Sequence, residues 1–314
     1  KAYEELQRLC TANIKNEIGK CTYTHMLNEG AGIETDLTVV CLEKDYFRII
    51  SSAAVRTHDK AHILKHLSDN LQFKDVTDEL ICLGVFGPKS RELLSKITKE
   101  DLSNENFKFA TSKNIKIKSI NVWVQRLSYV GELGYELYIK KENGKEIYDL
   151  IIDAGKDFKL THCGAHAMDT MRMESGFLHW GHDISPEENQ YQACLNFAIS
   201  YKKPFNFIGK EKLLKIRDQK LDRRFIMLVL KDNIPGKPLL LHEEPIYLEN
   251  KIIGKTTSGN YSFNYNKNLS FGYINSELSN KQLVGKNLYI EIEKKKYPVE
   301  LLLKPLKNLK FKNI

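Results

Sequence analysis

The sequence predicts an α+β fold that ends in a compact all-β module, either a small barrel or a sandwich. Two observations support this prediction. Helix-like and strand-like segments are mixed over residues 1–217, whereas residues 223–304 carry short β-type runs separated by Gly, Asn and Pro. That second pattern is typical of a compact barrel or sandwich. The 314 residues, 42% of them hydrophobic, provide enough apolar surface for roughly two domains.

Each element follows from apolar spacing and from the turn residues around it. Helices are predicted over 2–10, 57–67, 90–97, 144–154 and 208–216, and a further one begins near 163 and ends near 176. Strands of the first part are predicted over 37–42, 46–50, 80–86, 115–118, 121–129 and 135–140. In the second part, β runs are predicted over 224–230, 239–241, 245–249, 251–257, 269–274, 287–293 and 297–303.

The stretch 23–36 is the centre of the functional prediction. Asn28 and two glycines interrupt two strand-like pieces, which predicts a hairpin-like turn. Asp36 directly precedes the apolar run 37–42, where an unpaired carboxylate would cost free energy. Residue type and position alone favour a turn-capping role for Asp36 over a functional acid, because Asp is common in turns.

Charge excludes few partners by itself. The net charge is +8, and such a balance would suit nucleic acid, a membrane surface or a polyanionic ligand. The sequence has no RNA-recognition signature, no zinc-finger spacing and no basic helix with interleaved aromatic residues. Its apolar runs are all shorter than the ~20 residues that span a bilayer. We therefore predict a solvated lysine-rich surface, with neither a nucleic-acid nor a membrane partner.

The six cysteines are widely scattered, and none belongs to a Cys-x-x-Cys pair. In apolar surroundings free Cys behaves as a small core residue, which suits a reducing compartment. We expect the cytoplasm, or the mitochondrial matrix if the source is a eukaryote. The chain begins at Lys1 in a helix-like segment and without a signal peptide. We therefore expect a fragment or a processed chain whose start is missing.

A histidine series on one predicted helix raises the possibility of a metal site. His58, His62 and His66 recur every four residues. The apolar residues between them define the buried side of the helix, and no carboxylate completes a ligand set in the sequence pattern. We predict no metal.

The remaining candidates for chemistry are polar and aromatic residues at predicted turns. They are Tyr23, Asp36, Tyr129, Glu136, Arg172, Trp180 and His182. None of the common nucleotide or nucleophile signatures accompanies them. Composition and spacing therefore lead only to a cleft-type enzyme or binding protein with an attached β module.

Several ordered motifs resemble the signatures of the aminomethyltransferase family, the glycine-cleavage T proteins. They are the stretch 23–36, Tyr129-Val130-Gly131-Glu132-Leu133-Gly134-Tyr135-Glu136, Arg172-Met173-Glu174-Ser175-Gly176 with Trp180-Gly181-His182-Asp183, and Phe207-Ile208-Gly209-Lys210-Glu211. The closing β module, with 253–259 and 271–273, resembles the family's C-terminal barrel. The resemblance covers nearly the whole chain. It implies a T-protein-like folate-binding fold, with 1–217 as the aminomethyltransferase-like domain and 223–304 as the barrel.

The resemblance also implies a chemistry. The family binds tetrahydrofolate in a central cleft and forms 5,10-methylenetetrahydrofolate. By this resemblance Asp36 is the catalytic carboxylate, facing N5 and N10 of the folate beside a developing cationic, iminium-like species. Glu136 would accept hydrogen bonds from the amide N–H and amino group of the pteridine. Tyr23, Tyr129 and Trp180 would line the folate, with core packing as the alternative for each.

Two departures separate this chain from the T proteins. Met168 stands where they carry an arginine thought to hold folate, and the run 180–183 replaces their Tyr-Gly-Asn-Asp. Arg172, the family's next arginine, is a cofactor-binding candidate, with a structural ion pair as its alternative. Both departures resemble the folate-binding half of dimethylglycine and sarcosine dehydrogenases. In those enzymes a separate FAD domain oxidises the N-methyl group, and no dinucleotide fingerprint occurs in this sequence.

The leading prediction is therefore tetrahydrofolate-dependent one-carbon transfer, as the folate half of an enzyme of the dimethylglycine or sarcosine dehydrogenase type. Its partners would be folate and a small methylated amine or the one-carbon product, with a possible FAD domain in the full-length protein. Three alternatives stay open: a glycine-cleavage T protein fed by a lipoylated carrier, a folate-dependent demethylase, and a non-catalytic folate-binding module.

Overall fold

The computed structural model describes residues 1–232, 234–275 and 277–308. The first part of the chain forms one antiparallel sheet with two helices. In order these elements are α1 (Ala2–Leu9), β1 (Cys21–Leu27), β2 (Ile33–Glu43), β3 (Tyr46–Ser51) and α2 (Arg56–His66). The strand order in the sheet is β1-β2-β3, so each strand pairs with its neighbour in sequence.

A second antiparallel sheet follows. Its elements are β4 (Leu80–Phe86), α3 (Ser90–Ser95), β5 (Ser112–Ile117), β6 (Ile120–Gln125), β7 (Gly134–Lys140) and α4 (Gly144–Gly155), with strand order β4-β7-β6-β5. Side chains along β7 alternate between buried and partly exposed. The buried set, including Tyr135 and Leu137, packs with apolar residues of α3 and α4. Glu136 therefore lies on the opposite face, away from the two helices.

The last part of the chain closes into a barrel. Its elements are α5 (Ala165–Glu174), α6 (Lys210–Arg217), β8 (Arg224–Leu230), β9 (Pro245–Leu248), β10 (Lys251–Ser262), β11 (Lys267–Ile274), α7 (Asn280–Leu283), β12 (Leu288–Ile292) and β13 (Lys295–Leu302). The order around the barrel is β10-β11-β8-β13-β12-β9. The predicted α+β fold with a small C-terminal barrel is confirmed.

The β run predicted over 239–241 is wrong. Leu240 is buried and its two leucine neighbours are exposed, which gives the alternation of a strand. No ladder forms there, because the barrel closes through six other strands and leaves no edge for a seventh. The Leu240 backbone instead packs against Gly259 of β10, where an added Cβ would lie 2.6 Å from the Leu240 Cβ.

The turn-capping interpretation of Asp36 is also wrong. β2 begins at Ile33, four residues before the predicted start, so Asp36 lies inside the strand and pairs with His25 of β1. The preceding turn is closed by Asn28, whose backbone N–H donates to the Gly32 carbonyl and whose side chain accepts from the Gly32 N–H. Asp36 is thus held by a regular antiparallel ladder.

One apolar core spans the predicted domain boundary. It combines Leu27 and Ile33 of the first sheet with Met173 of α5 and with Phe225 and Phe271 of the barrel. The division into 1–217 and 223–304 stays a prediction, because packing is continuous across it. No helix in the described part of the chain is long and apolar enough to cross a membrane.

Candidate functional site

One face of the β1–β2 ladder carries the polar residues. Tyr23 and His25 of β1 lie opposite Thr38 and Asp36 of β2, and residues directly opposite in an antiparallel pair share a face. Along β2, Ile33, Thr35 and Leu37 point into the core, whereas Asp36 is only partly buried. The alternation of the strand therefore places the acid on the side away from the core.

The Asp36 carboxyl is enclosed by other polar groups. Its side chain is 17% exposed, and its Oδ1 lies 3.9 Å from Nε2 of His25. Burial raises the pKa of Asp36 to about 7, against the opposing effect of a hydrogen bond from Tyr23; the negative charge of Asp59 raises it further. Burial and the Asp36 charge in turn raise the pKa of Tyr23 well above its usual value. The acid is therefore poised to exchange a proton near neutral pH.

His25 lies behind this acid and is completely buried. Its Nε2 is 3.0 Å from the Tyr23 hydroxyl, and its Nδ1 is 2.7 Å from Nε2 of Gln190. Burial lowers the pKa of His25 to about 3, so the imidazole is neutral at physiological pH. Both ring nitrogens are occupied by protein partners.

Helix α2 packs its first turn against the same face. His58 places Nε2 3.3 Å from Oε2 of Glu34 and Nδ1 3.2 Å from Oδ1 of Asp59. Burial raises the pKa of Asp59. Within the described residues, Oδ2 of Asp59 is buried and has no hydrogen-bond partner. The face therefore collects three carboxyl groups, those of Glu34, Asp36 and Asp59, and His58 lies between Glu34 and Asp59.

Three aromatic residues border the acid. The exposed ring of Phe197 stacks on Tyr23, with centroids 6.2 Å apart. Tyr129, whose pKa is raised by burial and also by the charge of Asp36, donates its hydroxyl to the Leu178 carbonyl at 2.8 Å. Trp180 donates its indole N–H to the Ile33 carbonyl at 3.0 Å. The sequence had no signal for Phe197, which follows a loop and lies 174 residues after Tyr23.

Trp180 also contacts His58 of α2. Its ring lies 4.9 Å from that of His58, centroid to centroid. Tyr129 is stacked on Phe177, with centroids 6.1 Å apart. The structure therefore brings Tyr23, Asp36, Tyr129 and Trp180 into one neighbourhood, although their roles toward a ligand stay predictions.

Glu136 of β7 is the centre of a second polar cluster. Its Oε2 accepts from Nε2 of Gln125 and from the Tyr138 hydroxyl, the latter at 3.0 Å. Across the part of the chain that the structure describes, no hydrogen bond to Oε1 is found. Trp123 packs on Tyr138, with centroids 4.9 Å apart, and Arg48 lies 4.4 Å above the Trp123 ring. One carboxylate oxygen is thus fixed by the protein and the other is available.

The two acids are connected through β1. Sγ of Cys21 lies 3.9 Å from Oε1 of Gln125, which itself contacts Glu136. Cys21, Tyr23 and His25 share one face of β1, at intervals of about 6.6 Å along the strand. Glu136 and Asp36 therefore lie toward opposite ends of the same strand face.

Arg172 has a different environment. It is 2% exposed, and its guanidinium binds Asp169, Asp183 and Ser258 at 2.8, 2.5 and 2.8 Å. It also donates to the Phe177 carbonyl at 3.1 Å. These contacts favour the structural alternative over contact with a cofactor, and the cofactor role stays a prediction. Met168 is 44% exposed on the first turn of the same helix.

The histidine series of α2 does not form a metal centre with its neighbours. Throughout the described ranges, no group of three or more His, Cys, Asp or Glu side chains has an arrangement that would hold a metal ion. The His62 and His66 rings lie 4.9 Å apart. His58 instead contacts Glu34 and Asp59, as described above.

Two protein-family models match the parts of the chain that carry these site residues. The family model described as the GCVT N-terminal domain matches residues 1–203, and the glycine cleavage T-protein C-terminal barrel domain matches residues 223–307. The aminomethyltransferase of Thermoanaerobacter sp. (strain X514) is 32% identical, over 94% of this chain and 78% of that protein.

Longer relatives match as well. Mitochondrial dimethylglycine dehydrogenase of Homo sapiens is 35% identical over 94% of this chain, which spans only 34% of that protein. Mitochondrial sarcosine dehydrogenase of Homo sapiens is 32% identical over 85% of this chain and 30% of its own length. Among solved structures, the glycine cleavage system aminomethyltransferase T from Bartonella henselae superposes with a TM-score of 0.83, covering 97% of this chain and 81% of that one at 20% identity.

Proposed function

Because the chain belongs to the aminomethyltransferase family of glycine-cleavage T proteins, we propose that it is a tetrahydrofolate-dependent one-carbon transferase that forms 5,10-methylenetetrahydrofolate. The observation that carries the proposal is the Asp36 carboxyl, 17% exposed and 3.9 Å from Nε2 of His25, with a pKa raised to about 7 by burial. A carboxyl group that titrates near neutrality can take up and return a proton during turnover.

Tetrahydrofolate supplies the amine nitrogens that accept the one-carbon unit. Asp36 would lie beside those nitrogens, where its negative charge stabilises a cationic species and its oxygens receive the displaced proton. Tyr23 donates to Asp36 and holds the carboxyl orientation. Asp36 is the group that we propose as catalytic.

The residues around Glu136 fit the flat, donor-rich edge of a pteridine. Oε2 of Glu136 is already fixed by Gln125 and Tyr138, which leaves Oε1 to accept from a ligand. A carboxylate is the side chain best suited to accept from two adjacent N–H donors. We propose that Glu136 orients the folate while Asp36 handles its amine nitrogens.

The aromatic residues would enclose the ligand between these two acids. The ring of Tyr23 is 39% exposed and that of Phe197 is 73% exposed, so both have surface to lose on binding. Tyr129 and Trp180 are each tied to a backbone carbonyl by a hydrogen bond, which fixes their rings. Rigid aromatic walls of this kind favour stacking on a planar ligand at little entropic cost.

At a finer level, we propose that the chain is the folate half of an enzyme of the dimethylglycine or sarcosine dehydrogenase type. Met168 and the run 180–183 support this over a T protein, and the chain spans about a third of the length of those relatives. The amine substrate and an FAD domain are part of this finer proposal. We propose the cytoplasm as the compartment, or the mitochondrial matrix in a eukaryote, as in the names of the human relatives.

The main experiment measures 5,10-methylenetetrahydrofolate formation from formaldehyde and tetrahydrofolate, with release of water, relative to the uncatalysed rate. The wild-type chain should accelerate the reaction, and Asp36→Asn should lower the enzymatic rate by about 10²–10⁴-fold. Asp69→Asn, at an exposed position, is the matched control. The proposal fails if calorimetry detects no tetrahydrofolate binding and Asp36→Asn leaves the rate unchanged.

Product analysis separates the alternatives. Ammonia release from an aminomethyl-lipoyl carrier protein would identify a T protein. Formation of 5-methyltetrahydrofolate from a methyl donor would identify a demethylase. If the protein binds tetrahydrofolate but does not accelerate its reaction with formaldehyde, the chain is a non-catalytic module. The encoded sequence ahead of Lys1 tests the finer proposal, because an FAD-binding half there would assign the subfamily.

A further inference from the structure

A continuous series of hydrogen bonds lies behind Asp36. Nε2 of Gln190 is 3.1 Å from Oγ1 of Thr11 and 2.7 Å from Nδ1 of His25. Nε2 of His25 is 3.0 Å from the Tyr23 hydroxyl and 3.9 Å from Oδ1 of Asp36, and Tyr23 also acts on the Asp36 carboxyl by lowering its pKa. Thr11, His25 and Gln190 are all completely buried. The series joins the segment between α1 and β1, the strands β1 and β2, and the loop that follows the run 180–183.

The direction of these bonds follows from Thr11. Its hydroxyl donates to the Ala198 carbonyl at 3.0 Å, so its oxygen must accept from Gln190. That requirement turns the Gln190 NH₂ group, which only donates, toward His25. Nδ1 of His25 is consequently an acceptor and carries no proton. The neutral ring then bears its proton on Nε2.

A proton on Nε2 fixes the role of Tyr23. The imidazole N–H donates to the phenolic oxygen, and the phenolic O–H is left to donate to a carboxylate. Without His25 the hydroxyl would be able to rotate among several acceptors. With it, the phenol has one remaining direction for its proton, which is toward Asp36.

We propose that His25 is a positioning residue that acts through Tyr23: it holds the Tyr23 hydroxyl as a fixed donor to Asp36, with Gln190 selecting the tautomer. Only the kinetic test of this inference depends on the proposed function. Pairing of both ring nitrogens offsets the cost of burying the imidazole, so a purely structural role is the alternative that the experiments must separate from positioning.

The groups that act on Asp36 come from three elements. They are Tyr23 and His25 of β1, Asp59 of α2, and Tyr129 in the loop after β6. Asp59 opposes ionisation of Asp36 and the Tyr23 hydrogen bond favours it. Since His25 is neutral over the range in which Asp36 titrates, the donor direction does not reverse within that range.

The first test reads the tautomer directly. In ¹⁵N-histidine-labelled wild-type chain without any ligand, long-range ¹H–¹⁵N spectra should show His25 as the Nε2–H form from pH 5 to 8, with assignment by loss of the signal in His25→Gln. An Nδ1–H form or a cationic ring would overturn the proposal. The readout needs no activity, so it decides the inference even if the proposed function fails.

The second test compares His25→Phe with His25→Gln in the formaldehyde assay. His25→Phe removes the Nε2–H donor. The acidic limb of the pH–rate profile should then move to higher pH by about one unit, as expected when the Asp36 carboxylate loses a hydrogen bond. His25→Gln has an amide N–H in place of Nε2–H and should restore the limb toward that of wild type. An unmoved limb in His25→Phe would overturn the proposal.

A double mutant separates positioning from structure. If His25 acts through Tyr23, adding His25→Phe to Tyr23→Phe should leave the acidic limb where Tyr23→Phe alone puts it. Fully additive shifts would show an independent structural effect and overturn the proposal. If His25→Phe does not fold, His25→Leu, which also lacks a donor, and the double mutant Tyr23→Phe/His25→Leu provide the same comparison. Wild-type chain without rate acceleration would instead reject the proposed function.

Discussion

Nη1 of Arg172 lies 2.5 Å from Oδ2 of Asp183, and both side chains are almost completely buried. Oδ1 of the same carboxylate accepts from Thr257 and Ser258 of β10. Thr257 is the extra residue of a β-bulge, since Thr256 and Ser258 pair with adjacent residues of β11. The bulge turns the Thr257 hydroxyl toward Asp183 and so ties the barrel to α5.

Replacing Arg172 should therefore destabilise the protein. Arg172→Leu leaves the Asp183 carboxylate buried without its cation, and breaking a buried ion pair in this way typically costs about 3–5 kcal/mol. Urea unfolding followed by circular dichroism measures the change. Arg217→Leu is the control, because Arg217 pairs with Asp218 in an exposed position and should change stability far less.

A different result for Arg172→Leu would contradict a purely structural role of Arg172. If Arg172→Leu unfolds like wild type but loses tetrahydrofolate affinity, Arg172 belongs to the cofactor site. A stable variant with weakened binding would thus restore the interpretation that the arginine contacts folate.

The pH dependence of stability should carry a signature of Asp36. Its pKa of about 7 in the folded chain exceeds the usual value of 3.8 for an aspartic acid, so the folded state binds this proton more tightly than the unfolded state does. The stability that Asp36 contributes is fully present below about pH 4 and is lost as pH rises through 7. This difference between the folded and unfolded pKa of Asp36 corresponds to an upper limit of about 4 kcal/mol in the free energy of unfolding. Asp36→Asn should therefore become more stable than wild type as pH is raised from 4 to 8.

His25 acts with the opposite sign, so the difference between variants must be measured. Its pKa is lowered from 6.5 to about 3, which gives stability that is present above pH 6.5 and lost as pH falls toward 3. The two slopes partly cancel in wild type. Subtracting the wild-type curve from that of Asp36→Asn isolates the acid, and Asp69→Asn should give a flat difference. A flat difference for Asp36→Asn would mean that the carboxyl has an ordinary pKa.

Local pattern was sufficient for most of the fold. The apolar runs at 80–86 and 224–230 became β4 and β8 at the same residues, because both are almost unbroken apolar runs with charged or turn residues on each side. The side chains of β8 are mostly buried, whereas in β4 only Val85 is. Short runs at regular spacing indicated a barrel or a sandwich, and the resemblance to the family selected the barrel. The start of β2 was missed, since Glu34 and Asp36 interrupt the apolar run although they occupy only the partly buried face of the strand.

The environment of the candidate site lay beyond sequence patterns. Gln190 and His25 are 165 residues apart. His25 lies within the stretch 23–36, but Gln190 belongs to none of the motifs. The bulge at Thr257 depends on register, which the sequence alone does not specify. Resemblance to a family identified Asp36 and Glu136 as candidates. Only the three-dimensional arrangement revealed which protein groups hold them.

Glu136→Gln tests the proposed orientation of the folate. The amide would keep an oxygen for Gln125 but lose the charge and one acceptor that Oε1 offers. A hydrogen bond to a charged group contributes about 1.5–3 kcal/mol, so tetrahydrofolate affinity should fall by about 10–100-fold. Calorimetry measures the affinity, and Glu142→Gln at an exposed position is the control. Unchanged affinity would remove Glu136 from the binding site.

Gly32→Ala tests whether the β1–β2 turn positions both Asp36 and the loop behind it. A Cβ at Gly32 would lie 1.9 Å from the Pro186 carbonyl oxygen, in the loop that leads to Gln190, so the turn and loop must separate. Overpacking of this kind costs about 1–3 kcal/mol, and the acidic limb of the rate profile should also shift. Gly30→Ala is the matched control, because its Cβ would meet only the Asn28 side chain, at 3.2 Å. Equal effects of the two substitutions on urea unfolding and on the acidic limb would show that the contact between turn and loop does not position Asp36.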